Sequence, residues 1–466
     1  MNKPTLEFLF NPSSVAIVGA SKDLRKSGGR FLKSFINHGF KGQLFPVNPN
    51  ETEIMGMKVY STVRDIAANL DLVMMTIPAS ETPQVMTECA AKGVKFAVMY
   101  TAGFREISTE GRELEAKVLE IARRGGVRIV GPNCMGVYCP YAGINTVVAD
   151  ASLPRESGSM AFVSQSGWAS EKMIVSGTDR GLRFSKVISS GNQIDLTTID
   201  YMEYFGQDPK TKFIGAYIEG ITDGRRFMEL ARNIPHQKPI VVWKAGRTAT
   251  GARASLSHTG SLAGNDAICD AAFKQSGIIR ANSLDEVIDI AVTFNTPYMP
   301  SGNRIGIIEQ TGGGGIAFAD ACGDVGLELP EFPQEIQRAL RNCLKGLAAP
   351  FSTVRNPVDV VSLPRTEYAH MLPQCLTVMA RAVDALLLFT YLPLTDDTLA
   401  RCIDRVRDRL QKPIFVVPPY PSRETNGSSL YTQRGIPALT SPERAARAIS
   451  ALVQYTRYLK MAKLAR

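Results

Sequence analysis

The run Ser257-His258-Thr259-Gly260-Ser261-Leu262-Ala263-Gly264 sets one of the four histidines of the chain among small and hydroxyl side chains. With so little bulk around the ring, a large anion can reach an imidazole nitrogen and be held by backbone donors. A neutral imidazole is a good nucleophile near neutral pH and a good leaving group once phosphorylated, so a histidine placed in this way suits the ferrying of a phosphoryl group between two sites. A loop histidine that only hydrogen-bonds its neighbours is the alternative that this run alone leaves open.

Two turns supply what a phosphoryl group needs. Val163-Ser164-Gln165-Ser166-Gly167 and Gln310-Thr311-Gly312-Gly313-Gly314-Gly315 each join an apolar run to a helix-like stretch. A helix N-terminus carries unpaired N–H groups and partial positive charge, and glycine lets the backbone approach a phosphate. Ser164, Gln165, Ser166 and Gly167, with Gly312, Gly313 and Gly314, are therefore candidate phosphate-binding residues. A flexible linker is the alternative for the glycine run, and the strand-like 304–309 and helix-like 316–322 on either side speak against it. Tyr217-Ile218-Glu219-Gly220 ends a strand with a carboxylate, which is either a solvated strand end or an orienting partner for an imidazole.

Nearer the start, Val15-Ala16-Ile17-Val18-Gly19-Ala20-Ser21 runs from an apolar strand into a glycine turn, but positions 20–24 lack the later glycines of GxGxxG. That departure argues against an ordinary nicotinamide site. Val47-Asn48-Pro49, Ile77-Pro78-Ala79, Thr101-Ala102-Gly103-Phe104 and Gly131-Pro132-Asn133-Cys134-Met135-Gly136 follow further candidate strands, at the carboxyl ends where open sheets bind ligands. Cys134 has no histidine nearby in sequence and reads as structural.

The segment Trp243-Lys244-Ala245-Gly246-Arg247 and the run from Ala254 to Gly264 together resemble the phosphohistidine loop of NDP-forming acyl-CoA synthetases, the acetate–CoA ligase (ADP-forming) family related to succinyl-CoA synthetase. The resemblance covers almost the entire chain. It implies that His258 carries the phosphoryl group, that Glu219 holds the far nitrogen of its ring, and that both glycine turns point at it. It implies coenzyme A on the first domain, with Gly19, Ser21 and Lys26 at the phosphates and Asn48, Pro49, Pro78, Thr101, Ala102, Gly103 and Asn133 toward the adenine, pantetheine and thiol. The family's usual Asn-Ala-Gly-Gly-Pro-Gly is replaced here by the glycine run at 310–315.

The reaction so implied makes acyl-CoA, ADP and phosphate from a small carboxylic acid, ATP and CoA, reversibly, through acyl-phosphate and phosphohistidine intermediates. No GxxxxGK[ST] sequence is present, and three domains account for the length, so ATP or ADP and Mg2+ are expected on a partner. The chain is then the alpha subunit of an assembly, α2β2, with an ATP-grasp beta subunit. No acetyltransferase-like stretch appears in these residues, so a fused protein acetyltransferase is not expected. The competing reading is a CoA- or acyl-CoA-binding regulatory protein that keeps the fold without catalysis; a nicotinamide-dependent oxidoreductase is disfavoured by the incomplete fingerprint at Gly19.

These residues need elements to position them. A chain of 466 residues predicts several domains, and short apolar runs alternating with helical stretches predict parallel α/β sheets. The expected fold is a Rossmann-like CoA-binding domain over 1–148, then two flavodoxin-like domains of succinyl-CoA-synthetase type over 149–299 and 300–466. Candidate strands are 15–18, 44–47, 72–77, 96–100 and 128–130 in the first; 160–163, 186–189, 213–219 and 240–244 in the second; and 305–309, 385–391, 414–417 and 437–439 in the third, which closes in a helix from Pro442. The net charge of +9 is interleaved with acids, which fits an anionic small ligand or an acidic partner subunit better than nucleic acid. Eight cysteines without a CxxC pair or a histidine at ligand spacing predict neither a disulfide framework nor a metal site. The chain has no apolar run of membrane-spanning length and no signal-peptide pattern at its start, so a cytoplasmic location is expected.

Overall fold

The computed structural model describes residues 5–148, 153–253, 265–344, 351–361, 364–391, 394, 397–420 and 425–464. Residues 254–264, and with them His258, lie outside the described residues. The chain divides into two compact units, one of residues 1–175 with 183–282 and one of 176–182 with 283–466.

The first unit holds two sheets. β1 (Ser14–Val18), β2 (Gln43–Val47), β5 (Leu72–Met75), β6 (Phe96–Met99) and β7 (Arg128–Val130) form a parallel sheet in the order β2-β1-β5-β6-β7, with a small hairpin of β3 (Glu53–Ile54) and β4 (Met57–Lys58) inserted after β2. Every residue of β1, β5 and β6 is buried, as expected of strands covered on both faces by helices. Strand order reverses between β1 and β5, and ligands bind open α/β sheets at such a switch point, beyond the carboxyl ends of the strands. The turns at Gly19 and at Ile77-Pro78 stand there.

The second sheet runs β14-β13-β12-β10-β11-β8-β9. Its parallel part consists of β10 (Met160–Ser164), β11 (Phe184–Ser189), β12 (Phe213–Ile218), β13 (Ile240–Lys244) and β14 (Ile279–Ala281). β8 (Gly136–Cys139) pairs antiparallel with β11, and β9 (Ile144–Asn145) antiparallel with β8. The run Val137-Tyr138-Cys139 is too short to mark a strand in sequence, and its pairing partners lie about fifty residues on. One continuous hydrophobic core spans both sheets, from Val15, Phe35 and Val98 to Val163, Phe205 and Val242.

The second unit is built on β15 (Ile305–Glu309), β16 (Val358–Asp359), β17 (Ala385–Phe389) and β18 (Ile414–Val417), all parallel, in the order β16-β15-β17-β18. The expected strand at 437–439 is a single bridge of Ala438 to Val416. Pro437 has no N–H to extend the ladder, and the helix Pro442–Leu464 begins just beyond. All three sheets reverse order in the same place, between their first strand and the third of the series.

Candidate active site

In the second sheet the switch point falls between β10 and β12, and it brings Gln165 to Glu219. The Gln165 side-chain oxygen accepts the backbone N–H groups of Glu219 at 2.5 Å and Gly220 at 3.1 Å. Its amide nitrogen donates to the Gly220 carbonyl at 3.0 Å and to Gln193 Oε1 at 3.1 Å. From the other side the buried Lys244 donates Nζ to the Glu219 carbonyl at 2.7 Å. Burial pushes the Lys244 ammonium below its ordinary value. Tyr217 hydrogen-bonds the Glu219 carboxylate; burial first, and that neighbouring charge second, raise the phenol well above its ordinary value. Glu219 is itself 4% exposed and so is held by backbone and side chain together. Lys244 is paired in register with Ile218, and Ala245 N–H donates to the Ile218 carbonyl at 2.9 Å. The chain that leads to His258 therefore leaves β13 beside Glu219.

Ser164 is buried, and its hydroxyl accepts the Ser166 N–H at 3.0 Å. The N–H groups of Gly167 and Trp168, at the start of the helix Gly167–Asp179, find no acceptor among the described residues. Both residues line a cleft of about 790 Å³ together with Gln165 and Ser166. Gly19, Lys26, Pro78, Thr101, Ala102 and Asn133 line the same cleft. A smaller groove of about 410 Å³ continues from it, sharing Gly19, Lys26, Thr76, Ile77 and Pro78 as a common wall and reaching Ser21, Asn48 and Pro49. Of the residues assigned to the CoA site only Gly103 lies on neither lining; its N–H donates to Glu106 Oε1 at 2.8 Å.

Backbone packing builds the cleft. A Cβ on Gly28 would lie 2.0 Å from the Gly19 carbonyl oxygen, so this glycine lets the helix Ser27–Asn37 begin against the Gly19 turn. The close-approach glycine missing from positions 20–24 thus sits further along, after a longer loop. Gly191 has φ +54°, and a Cβ there would stand 2.2 Å from the Pro132 carbonyl oxygen. The Asn192 N–H donates to that same carbonyl at 2.9 Å. Glu106 binds this turn to the next by accepting from Asn192 Nδ2 at 2.6 Å and from the Phe104 N–H at 3.1 Å. Burial alone would raise the Glu106 carboxyl; the Gly103, Asn192 and Phe104 donors outweigh it and hold the group below its ordinary value.

Sequence reasoning missed Gly28, Thr76, Tyr100 and Trp168, all on the cleft wall, which Met135 of the 131–136 turn joins. Trp168 is 57% exposed there, and its ring lies 6.4 Å from that of Trp243, which meets Tyr217 edge-on at 4.7 Å. The Ser27-Gly28-Gly29 run was the one available signal for the helix approach. Cys134 also lines the cleft, but burial pushes its thiol up to about 12, and Sγ donates to the Met99 carbonyl at 3.3 Å. All eight cysteines are free, and among the described residues no cluster of His, Cys, Asp or Glu is arranged to hold a metal. No described helix is long and apolar enough to cross a membrane.

In the second unit Gly312, Gly313 and Gly314 form the turn after β15, with Gly312 at φ +65° and the helix Gly313–Asp324 following. Gln310 repeats the placement of Gln165: its Oε1 accepts from Thr390 Oγ1 at 3.1 Å and from the Tyr391 N–H at 3.0 Å, across the switch point between β15 and β17.

Residues 13–140 match the model of a CoA-binding domain, and residues 157–294 that of a succinyl-CoA ligase-like flavodoxin domain. The chain is 37% identical to the alpha subunit of ADP-forming acetate–CoA ligase II of Pyrococcus furiosus over 455 residues, 96% of this chain and 97% of that one. The chain belongs to the ADP-forming acyl-CoA ligase family. This is the family that the His258 loop and the turns of the first domain pointed to. The ADP-forming acetate–CoA ligase of Methanocaldococcus jannaschii is 40% identical over 356 residues, which are 76% of this chain and 49% of that longer protein. Among solved structures, the acetyl-coenzyme A synthetase 1 of Candidatus Korarchaeum cryptofilum, determined with phosphate and ADP, superimposes with a TM-score of 0.85 at 35% identity, covering 99% of both chains. The expected α/β class, a CoA-binding domain followed by a flavodoxin-like ligase domain, is that of this family.

Proposed function

We propose that this chain is the alpha subunit of an ADP-forming acyl-CoA ligase, an acid–thiol ligase working through phosphohistidine at His258. One observation carries the reading. The turns of the first sheet that suit an extended anionic ligand and the open helix end at Ser166-Gly167 line one continuous cleft.

Coenzyme A suits the donors and shape of this groove. Asn48 lies toward its nucleotide end, Gly19, Ser21 and Lys26 at its phosphates, and Thr101, Ala102 and Asn133 toward its thiol. Gly103 acts indirectly, by fixing the loop through Glu106. The thiol is thereby aimed at the helix end that would hold an acyl phosphate. Glu219, clamped by Gln165 and Lys244, would fix the tautomer of the His258 ring and stabilise its phosphorylated form. N–H groups preorganised by the fold act on the developing charge without reorganising during the reaction. Gly312, Gly313 and Gly314, at the start of the helix Gly313–Asp324, are further phosphate-binding residues in this reading.

ATP or ADP, with Mg2+, belongs in this reading to an ATP-grasp beta subunit in a cytoplasmic α2β2 assembly. The full-length match to a separately encoded alpha subunit supports it, as does the half-length match to a longer relative. The three-domain division 1–148, 149–299 and 300–466 is the organisation we assign. The test is to combine the chain with an ATP-grasp partner and measure ADP release and thioester formation. Continued turnover of both, beyond the single equivalent of ADP that phosphorylation of the chain releases, is expected to require a small carboxylic acid and CoA together; continued ADP release independent of both would reject the reading.

A further inference from the structure

The two helix ends read as phosphate-binding differ in charge. In the first unit the last residue of β10 is Ser164, a neutral hydroxyl that takes the Ser166 N–H. In the second unit the last residue of β15 is Glu309, only 1% exposed. Its Oε2 accepts the Thr311 N–H at 2.6 Å and the Thr311 hydroxyl at 2.8 Å, and its Oε1 accepts the Gly312 N–H at 2.9 Å. Gly314 N–H donates to the Thr311 hydroxyl at 2.9 Å and Gly313 N–H to the Thr311 carbonyl at 2.7 Å. A second carboxylate stands close, since a Cβ on Gly312 would lie 3.4 Å from Asp359 Oδ2. The turn that resembles an anion site already contains an anion.

We propose that Glu309 is an internal competitor for phosphate at this turn, holding the Thr311 and Gly312 N–H donors until phosphate displaces its carboxylate. The inference rests on the ligase reading above and adds a positioning residue to it. A carboxylate at a helix N-terminus is stabilised by the same partial charge that would attract phosphate. The two anions cannot take the same donors at once, so the affinity for phosphate is set by what it costs to move Glu309 away. The neutral Ser164 at the matching place imposes no such competition on the Ser166-Gly167 end. A neutral side chain at 309 therefore leaves the donors to phosphate and removes a repelling charge.

The experiment uses the complete assembly in the direction that consumes phosphate, acyl-CoA with ADP and inorganic phosphate, and compares Glu309→Ser and Glu309→Gln with the native chain. Both variants are expected to lower the KM for phosphate by about fivefold or more, the scale of a charge-assisted hydrogen bond, with the KM values for acyl-CoA and ADP unchanged. Thr311→Val, which keeps the charge but loosens its hold, is expected to shift phosphate in the same direction by less. Calorimetric titration of each chain with inorganic phosphate gives the same comparison without turnover. An unchanged or raised phosphate KM and dissociation constant in the Glu309 variants would overturn the proposal. A native assembly that forms no ATP would overturn the ligase reading instead, and the titration would then decide the role of Glu309 by itself.

Discussion

Gln165 holds Glu219 by its backbone across the switch point of the second sheet, 2.5 Å from side-chain oxygen to amide nitrogen. The same glutamine, through four side-chain hydrogen bonds, ties the helix end at Ser166 to the turn that carries the carboxylate and to Gln193. Replacing it with the near-isosteric methionine leaves two buried N–H groups without their acceptor, at about 1–3 kcal/mol each. Gln165→Met is expected to lower the melting temperature and to slow phosphorylation of the chain at least about tenfold, the loss of about 1.4 kcal/mol of transition-state stabilisation. Calorimetry and rapid-quench labelling check the two effects separately.

Gly191→Ala tests the floor of the cleft. Its backbone lies at φ +54° and its missing Cβ would overlap the Pro132 carbonyl. The substitution should destabilise the first unit by about 2 kcal/mol or more, from left-handed strain and the forced separation of two turns. Weaker CoA binding should accompany a lower urea midpoint, measured by titration and by circular dichroism.

The chemistry of these turns was legible before their partners were. A histidine among small residues, a strand ending in glutamate and glycine turns after apolar runs all announce themselves in local sequence, because strand ends and helix starts restrict residue types. The strands of all three sheets were legible for the same reason, except short ones such as β8, β9 and β16, whose two to four residues give no periodicity. Partners fixed by sheet order were hidden. Gln165 and Glu219 are 54 residues apart, and only the parallel pairing of β10 with β12 makes them neighbours. Gly28 was hidden by the length of the loop before its helix, and Trp168 by resembling a core residue. The capping of Thr311 by Glu309 runs opposite to the expectation a glycine-rich turn creates.

Cys134 lines the cleft but should not react. Its thiol, pushed up to about 12 by burial, stays protonated at neutral pH and donates to a carbonyl. Cys134→Ala should keep ligase activity within about threefold of native, at a stability cost of about 1 kcal/mol. Loss of turnover in a folded Cys134→Ala chain would reinstate a thiol mechanism.

The second unit carries its own acid response. Burial would raise the Asp384 carboxyl, but hydrogen bonds from Arg304 and Ser301 outweigh it and bring it down to about 2. An unfolded aspartate titrates near about 3.9. Because the folded value is the lower, the stabilisation is present above that unfolded value and is lost as pH falls through the window toward about 2. Asp384→Asn should be less stable than native at pH 7 and should show a flatter stability profile between about pH 4 and 2, read from urea unfolding across the series.

Phosphorylation at His258 is tested most directly by transfer of labelled phosphate from ATP with Mg2+ to this chain, in the presence of an active ATP-grasp partner. An acid-labile, base-stable label is expected on the native chain, absent from His258→Ala, much slower to form on Glu219→Gln, and discharged when acid and CoA are added together. A label that persists in His258→Ala, or none on the native chain beside a partner proven active, would contradict it.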